Sequence, residues 1–449
     1  MLPRRVQVGY AAADVGVNAV ETMLRLYLLV LWTERHGLRA DLAGLAVALA
    51  VVWDAVTDPV MGALSDRLAP RWGRRPWLWS GGVLLGLAVP LLFAVEPPAG
   101  QGAMFAWLVF ASCVLGTAMT VLNVPHMAMA AELSQDRHER SALFGWRFAA
   151  MNVGAVLAAA LPAVWIVGDG RTVDALPQVA AVIAGVVVLT ALWTWRAVRG
   201  AAPPPDPTRV DHAPPWRELF SGWRAAFANP AFGPLLLAYV VATVGIGANA
   251  TLALYYYRLR LGLPDREVQL LLVVALSVFT ASVAFWVALS RRVGKNRPLV
   301  VGALLLGVGG SVVYPALPRG DLALALLCSA GLLGSLVGCI ALLDSLLTDV
   351  VDLERVRTGA WRSGAFFGVW RFASKLARAV AVALAGLALT QMGIAGEGAA
   401  GDGQHAALGW LFGPGVGVWF VAAAAVLARY RFDDRKQQQV QRVLRRRAP

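Results

Sequence analysis

The sequence predicts an all-α membrane protein whose 12 transmembrane helices form two six-helix bundles related by a parallel repeat. Hydrophobic residues make up 58% of the 449 residues and charged residues 15%, far from the balance of soluble proteins. Apolar runs of about 20 residues, long enough to cross a bilayer as helices, recur along the whole chain. Two short motifs also recur at a nearly constant offset, which indicates the repeat.

The apolar runs are continuous rather than alternating, and this favours helices over a β-barrel. Each run is predicted to be one membrane span. They lie near 7–33, 42–64, 76–95, 103–131, 142–166, 178–198, 232–257, 267–289, 298–316, 322–349, 363–391 and 407–428.

A polar, proline-rich stretch at residues 200–228 separates six spans from the next six. The prolines between Ala201 and Pro207 predict a stiff, extended linker. The predicted domains are a first bundle at 1–199, this linker, a second bundle at 229–430 and a basic tail at 431–449.

The two halves share sequence motifs. Residues 63–67 (ALSDR) are matched by 288–292 (ALSRR), and residues 146–149 (WRFA) by 370–373 (WRFA). Both matches are offset by about 225 positions, which is the pattern of a parallel internal repeat in a transporter. Chance similarity of short basic segments is the alternative.

Positive charge is distributed unevenly around the spans. The formal net charge is +13, and the even-numbered connections and both termini carry most of the Arg and Lys residues. This distribution predicts cytoplasmic termini and a tail that meets anionic lipid headgroups rather than nucleic acid. The basic clusters include Arg4 and Arg5; Arg67, Arg71, Arg74 and Arg75; Arg291, Arg292, Lys295 and Arg297; and Arg442, Arg445, Arg446 and Arg447.

Asp54 and Asp58 lie one helical turn apart inside the second apolar run. Residues four apart share a helix face, and two like charges that close cannot both stay ionised without a proton or a cation. Intramembrane carboxylates are costly and are functional candidates by default. The pair therefore predicts a coupling-ion site, with a structural salt bridge to a basic residue as the alternative.

Other polar residues lie within predicted spans. Asp14 and Asn18 share a stripe of the first helix and are predicted to line a cavity. Asp344 of the tenth span could pair with Lys375 or Arg371, or act as a second protonation site. The three tyrosines at 255–257 predict an interfacial aromatic belt or, alternatively, a surface for stacking sugar rings.

The turn after the second span contains a glycine and an acid among its arginines. Gly62 is predicted to let helices approach closely, and Asp66 to pair with an arginine in a bistable latch. A solvated basic loop that only sets topology is the alternative. The predicted gating residues are Gly62, Asp66, Arg67, Arg74 and Arg75.

This turn resembles the loop signature of the major facilitator superfamily. Residues 53–62 (WDAVTDPVMG) more specifically resemble the second helix of the glycoside–pentoside–hexuronide:cation symporter family. Further matching segments run in order along nearly the whole chain. They include Thr33, Asn123-Val124-Pro125, Arg147, Asp349–Asp352 and Lys375.

The resemblance implies site residues at matching positions. Asp54, Asp58 and Thr120 would be cation ligands. Arg147 and Lys375 would lie near the solute and the acidic pair. Asn18 and Asn123 stand where melibiose permeases carry acids that hold galactosyl hydroxyls. An amide both donates and accepts hydrogen bonds, so a polyol could still be bound, whereas a galactoside becomes less well supported.

The predicted function is secondary active symport of a sugar, glycoside or similar small polar solute, coupled to Na⁺ or H⁺. A lysolipid or amphiphile carrier, a proton-coupled drug exporter and a non-transporting receptor are the alternatives. No enzyme motif and no cofactor is predicted. The chain is expected to be a monomer among the lipids of a bacterial inner membrane, without nucleic acid as a partner.

Overall fold

The computed structural model describes residues 2–133, 137–166, 170–201, 223–224, 226–358, 363–394, 402–430, 439–440 and 443. Within these ranges the chain is helical, and no β-strand occurs. The described residues contain 11 helices long and apolar enough to cross a membrane, and a bent pair at the beginning raises the number to 12. The predicted all-helical, multi-pass fold is confirmed.

The helices of the first half follow the predicted spans, with several ends extended. In chain order they are α1, a bent pair at Arg4–Leu26 and Leu28–Arg35; α2, Ala40–Trp72; α3, Arg75–Phe93; α4, Gln101–Leu133; α5, Arg137–Ala160; and α6, Thr172–Ala197.

The second half contains six further helices. They are α7, Phe232–Arg260; α8, Asp265–Val293; α9, Asn296–Ala316; α10, Leu322–Thr358; α11, Ser363–Gln391; and α12, Gly403–Ala428. Three of them contain π-helical segments, which are Tyr256–Arg260 in α7, Leu326–Leu333 in α10 and Leu411–Gly415 in α12.

The chain divides into two compact units. The first comprises Met1–His212, Pro264–Val273 and Ala385–Ala399, and the second comprises Ala213–Leu263, Val274–Leu384 and Ala400–Pro449. Most of the predicted linker and tail lies outside the described residues. The predicted domain boundaries therefore stay predictions.

Small residues set the helix packing in the first unit, where α3 packs on α4 and α6, and α1 packs on α5. A Cβ atom added at Gly81 would lie 2.7 Å from the backbone of Leu122, and one added at Gly154 would overlap the carbonyl oxygen of Val15. Close backbone approach at small residues is how helices associate in a bilayer, where no hydrophobic force acts between them.

Helix α1 bends by 51° between its two arms. Tyr27 lies at the break with φ −115°, and its hydroxyl donates to Gln269 Oε1 at 2.8 Å. The second arm is held by two ion pairs, Arg35 with Glu96 and Arg171 with Glu34, at 3.0 and 2.9 Å. The first arm carries the polar residues predicted to line a cavity.

In the second unit, α12 packs on α7 and α9. Between residues 301 and 312, the side chains that α9 exposes are large and apolar, as expected of a helix that faces lipid tails. They are Val301, Leu304, Leu305, Val308 and Val312.

Tyr255, Tyr256 and Tyr257 lie inside the second unit, at 2%, 0% and 4% exposure. Tyr256 stacks on Phe412 with 4.3 Å between ring centroids, and its hydroxyl donates to the carbonyl oxygen of Tyr314 at 2.6 Å. The prediction of an interfacial belt or a sugar-stacking surface is therefore wrong, because these rings pack against one another in the protein interior.

Candidate functional site

Three of the predicted cation ligands lie on neighbouring helices of the first unit. Asp54 and Asp58 project from α2, one turn apart, and both are half-buried. Thr120 of α4 is buried, and its hydroxyl donates to Asp58 Oδ1 at 2.6 Å. The structure therefore brings together Asp58 and Thr120, which are 62 positions apart in sequence.

Gly116, one turn before Thr120, makes room for the other carboxylate. A Cβ atom added at Gly116 would overlap Asp54 Oδ1. The indole of Trp53 donates to Thr117 Oγ1 at 2.8 Å and ties α2 to α4 beside this contact. Sequence reasoning missed Gly116 and Thr117, although both lie within a turn of Thr120 and share its helix.

Carboxylate and hydroxyl oxygens suit a hard cation such as Na⁺, and carboxylates also accept protons. Asp54, Asp58 and Thr120 supply such oxygens within an apolar helix pair. Among the described residues, no three His, Cys, Asp or Glu side chains are grouped as metal ligands. Two carboxylates and a hydroxyl are available on this helix pair, and their role as a coupling-ion site stays a prediction.

Asp14 of α1 and Arg147 of α5 form a buried ion pair. Arg147 Nε donates to Asp14 Oδ2 at 2.8 Å, and Nη2 donates to Oδ1 at 2.9 Å. Their side chains are 3% and 8% exposed. Such two-point arginine–carboxylate contacts are strong and directional. Sequence analysis had predicted solute binding for each residue, and that role stays a prediction. A solute that uses either group must replace these bonds.

His126 of α4 is completely buried beside this ion pair. Its Nε2 lies 2.8 Å from the carbonyl oxygen of Tyr10, and the Tyr10 hydroxyl donates to the carbonyl oxygen of His126 at 2.7 Å. Its Nδ1 lies 3.9 Å from Asp14 Oδ1. No sequence pattern had indicated that His126 would lie next to Asp14 and Arg147.

The remaining predicted solute-binding residues occupy polar positions within the spans. Asn18 is buried on α1, one turn after Asp14. Asn123 is half-buried on α4, one turn after Thr120. Lys375 is half-buried on α11 in the second unit. Their part in solute binding stays a prediction.

The predicted gating residues differ in their exposure and in their contacts. Arg75 Nε donates to the carbonyl oxygen of Trp195 at 2.8 Å, and its guanidinium lies 4.2 Å from the centroid of the Trp195 ring. Arg67 is exposed and Arg74 half-buried. The side chain of Asp66 lies outside the described residues, so the latch stays a prediction.

The expectation that Gly62 permits close helix approach is wrong. A Cβ atom added there would lie 3.9 Å from Val124 Cγ1, an ordinary van der Waals distance. The glycine that this turn requires is Gly73, whose φ of +66° is a backbone conformation that other residues rarely adopt.

The partners predicted for Asp344 of α10 are Lys375 and Arg371. Among the described residues, neither makes a charged hydrogen bond to it, and Trp370 Nε1 donates to its Oδ1 at 2.7 Å. Arg371 is close enough to interact electrostatically with it. Trp370 was not predicted as a partner of Asp344. A search for charged partners does not find it, because its indole N–H is neutral.

Comparison with known proteins agrees with this architecture. The family described as MFS/sugar transport protein matches residues 9–434. The glucuronide carrier protein homolog of Escherichia coli is 26% identical over 84% of this chain and 81% of its own length. The isoprimeverose transporter of Lactiplantibacillus pentosus is 22% identical over 88% and 81%.

A solved structure also matches nearly the whole chain. It is a bacterial homolog of the human lysosomal transporter Spinster, in an inward-facing and unoccupied conformation. It superimposes with a TM-score of 0.67 and covers 96% of this chain and 98% of its own, at 13% identity. At that identity the likeness supports the fold alone.

Proposed function

Because the chain belongs to the glycoside–pentoside–hexuronide:cation symporter family of the major facilitator superfamily, we propose that it couples Na⁺ or H⁺ to the uptake of a sugar or glycoside by alternating access. It is a multi-pass membrane protein and a secondary symporter rather than an enzyme. The coupling ion, the solute and their sites are the proposal.

The hydrogen bond from Thr120 to Asp58, beside Asp54, carries the proposal. It orders one oxygen of an acidic pair within a span whose surroundings disfavour charge. A cation or proton at this pair lowers the repulsion between the two carboxylates. The ion-loaded pair therefore differs in charge from the empty one, which is what a coupled cycle requires.

Coupling is a free energy shared by ion and solute, so each must raise the affinity for the other by the same factor. Asn18 and Asn123 supply neutral donors and acceptors for a polyhydroxy solute, while Asp14, Arg147 and Lys375 supply charge. The relatives named for glucuronide and isoprimeverose support a sugar or sugar acid as the solute class.

Transport by purified protein in proteoliposomes tests the proposal. Uptake of labelled isoprimeverose and of a phenyl glucuronide is measured under an imposed Na⁺ gradient, an imposed pH gradient, or neither. Accumulation above equilibrium under one gradient identifies the coupling ion. Absence of accumulation of both probes under either gradient contradicts this solute class.

Asp58→Asn tests the ion site. The variant keeps the shape of the side chain and removes the charge, so we expect loss of ion-driven accumulation with downhill flux or exchange retained. Asp41→Asn is the matched control, because Asp41 lies on the same helix but pairs with Arg39 at the exposed helix start. If Asp58→Asn still concentrates a probe against its gradient, the ion site is elsewhere.

A further inference from the structure

Helix α10 exposes polar residues where a lipid-facing helix would expose apolar ones. Between residues 342 and 351 the accessible side chains are Asp344, Ser345 and Thr348, whereas the leucines and valines are buried. Between residues 301 and 312 of α9, the exposed side chains are valines and leucines. A carboxylate on a lipid-facing surface is costly, so lipid tails are an unfavourable neighbour for this face of α10.

The helix is irregular immediately before this face. Residues Leu326–Leu333 form a π-helical segment and Gly338–Ala341 a 3₁₀ turn, and regular α-helix resumes at Leu342. The indole of Trp286 donates to the carbonyl oxygen of Ser335 at 2.7 Å, within the irregular region. π-helical and 3₁₀ stretches within a longer helix are frequent at functional sites and hinges.

Asp344 is held in one orientation. Trp370 Nε1 donates to its Oδ1 at 2.7 Å, and the Trp370 ring stacks on Tyr239 with 3.8 Å between centroids and 12° between planes. Trp370 is 3% exposed, so the indole that fixes the carboxylate is itself fixed by packing. Three helices of the second unit, α7, α10 and α11, meet at this cluster.

We propose that Asp344 is a solute-binding carboxylate, which accepts hydrogen bonds from hydroxyl groups of the transported sugar or glycoside. An ionised carboxylate has about four acceptor positions, and Trp370 occupies one of them. Arg371 lies close enough to interact electrostatically with Asp344, which disfavours a bound cation there. Hydrogen bonds to an ionised acceptor are about twice as strong as neutral ones.

This assignment rests on the proposed function, and it gives Asp344 a role in binding the solute rather than the coupling ion. Trp370 acts here as a positioning residue, since it orients Asp344 and its buried ring contacts Tyr239. The solute class is a neutral or acidic compound with adjacent hydroxyl groups.

Half-saturation constants for isoprimeverose and phenyl glucuronide uptake test the assignment, together with ion-dependent thermal stabilisation of the purified protein. For Asp344→Asn we expect a rise of about tenfold or more in half-saturation concentration, because a charge-assisted acceptor is lost. The thermal stabilisation by Na⁺ or low pH should be unchanged. Trp370→Phe keeps the ring and removes the donor, and it should weaken binding by a smaller factor.

Asp321→Asn is the matched control, because Asp321 directly precedes α10 and caps its start by accepting from the backbone N–H of Leu324. Unchanged half-saturation in Asp344→Asn overturns the assignment. So does loss of ion-driven accumulation at unchanged solute affinity, which would make Asp344 a coupling-proton site. If wild type accumulates neither probe, the proposed function itself fails. If wild type accumulates a probe and only the Asp344 result is negative, the proposed function stands.

Discussion

At the residue scale, Gly116 affects the acidic pair because it has no Cβ atom. The Asp54 carboxylate occupies the space that a Cβ atom at this position would need. The carboxylate therefore lies against the backbone of α4, in the same helix segment as the Thr120 hydroxyl. Because Gly116 has only a hydrogen atom where other residues have a Cβ atom, the Asp54 carboxylate can approach that helix closely.

Gly116→Ala should displace the Asp54 carboxylate and weaken coupling-ion affinity by about tenfold, equivalent to about 1.4 kcal/mol. Gly102→Ala on the same helix is the control, because a Cβ atom there meets no atom within 4 Å. Ion-dependent thermal stabilisation measures the effect. Equal ion affinity in the two variants would show that the position of Asp54 does not govern binding.

The ion pair of Asp14 and Arg147 shows which features of a site can be predicted from the sequence. Asp14 was predicted to be functional from its place within an apolar span, and Arg147 from its match to the symporter family. Their mutual contact could not be predicted, because the partners are 133 positions apart and lie on different helices. Removing one partner of a buried pair leaves an uncompensated charge, at a cost of about 3–5 kcal/mol. A solute that binds Arg147 must compensate Asp14 as well.

At the element scale, α1 and α5 pack through a glycine rather than through large side chains. Gly154 faces the carbonyl oxygen of Val15, and a Cβ atom would overlap it. The contact brings the backbone that carries Asp14 close to the helix that carries Arg147. The short distance between these helices is therefore part of what permits the two-point ion pair.

Gly154→Ala should force α1 and α5 apart and destabilise the protein by about 1–3 kcal/mol, as overpacking does in cores. Gly145→Ala on the same helix has open space around its Cβ atom and should be neutral or slightly stabilising, since alanine favours helix by about 1 kcal/mol over glycine. Thermal unfolding in detergent compares the two. A Gly154→Ala variant as stable as Gly145→Ala would contradict this packing.

Helix α10 contains irregular helical segments that its hydropathy does not predict. The apolar run at 322–349 predicted one continuous span, and the span exists. Its π-helical and 3₁₀ segments are marked only weakly in the sequence, because they contain no proline. Glycines at 331, 334 and 338 are the signal that sequence offers, and each loosens the helix without specifying which hydrogen-bond pattern replaces it.

At the scale of the whole molecule, the spacing and number of apolar runs were enough to predict the fold. Each span is specified locally by its length and hydrophobicity. The contacts among spans depend on which faces meet, and sequence gives these only where a polar pair such as Asp54 and Asp58 marks a face. For this reason the acidic site was predicted more completely than Gly116, Trp370 or His126.

The Arg and Lys distribution predicts that both termini lie in the cytoplasm. A green fluorescent protein fused after the last residue should fluoresce in a bacterial host, since it folds in the cytoplasm. Alkaline phosphatase inserted in the connection at 96–102 should be active, since it folds only after export. A dark C-terminal fusion together with an inactive phosphatase insertion would contradict this orientation.

The bend at Tyr27 separates two arms of α1 that carry different groups of polar residues. Its second arm is anchored by Arg35 and Glu34 to Glu96 and Arg171, whereas its first arm carries Asp14 and Asn18. The bend therefore separates the stretch of α1 that carries these polar residues from the stretch that carries its ion pairs.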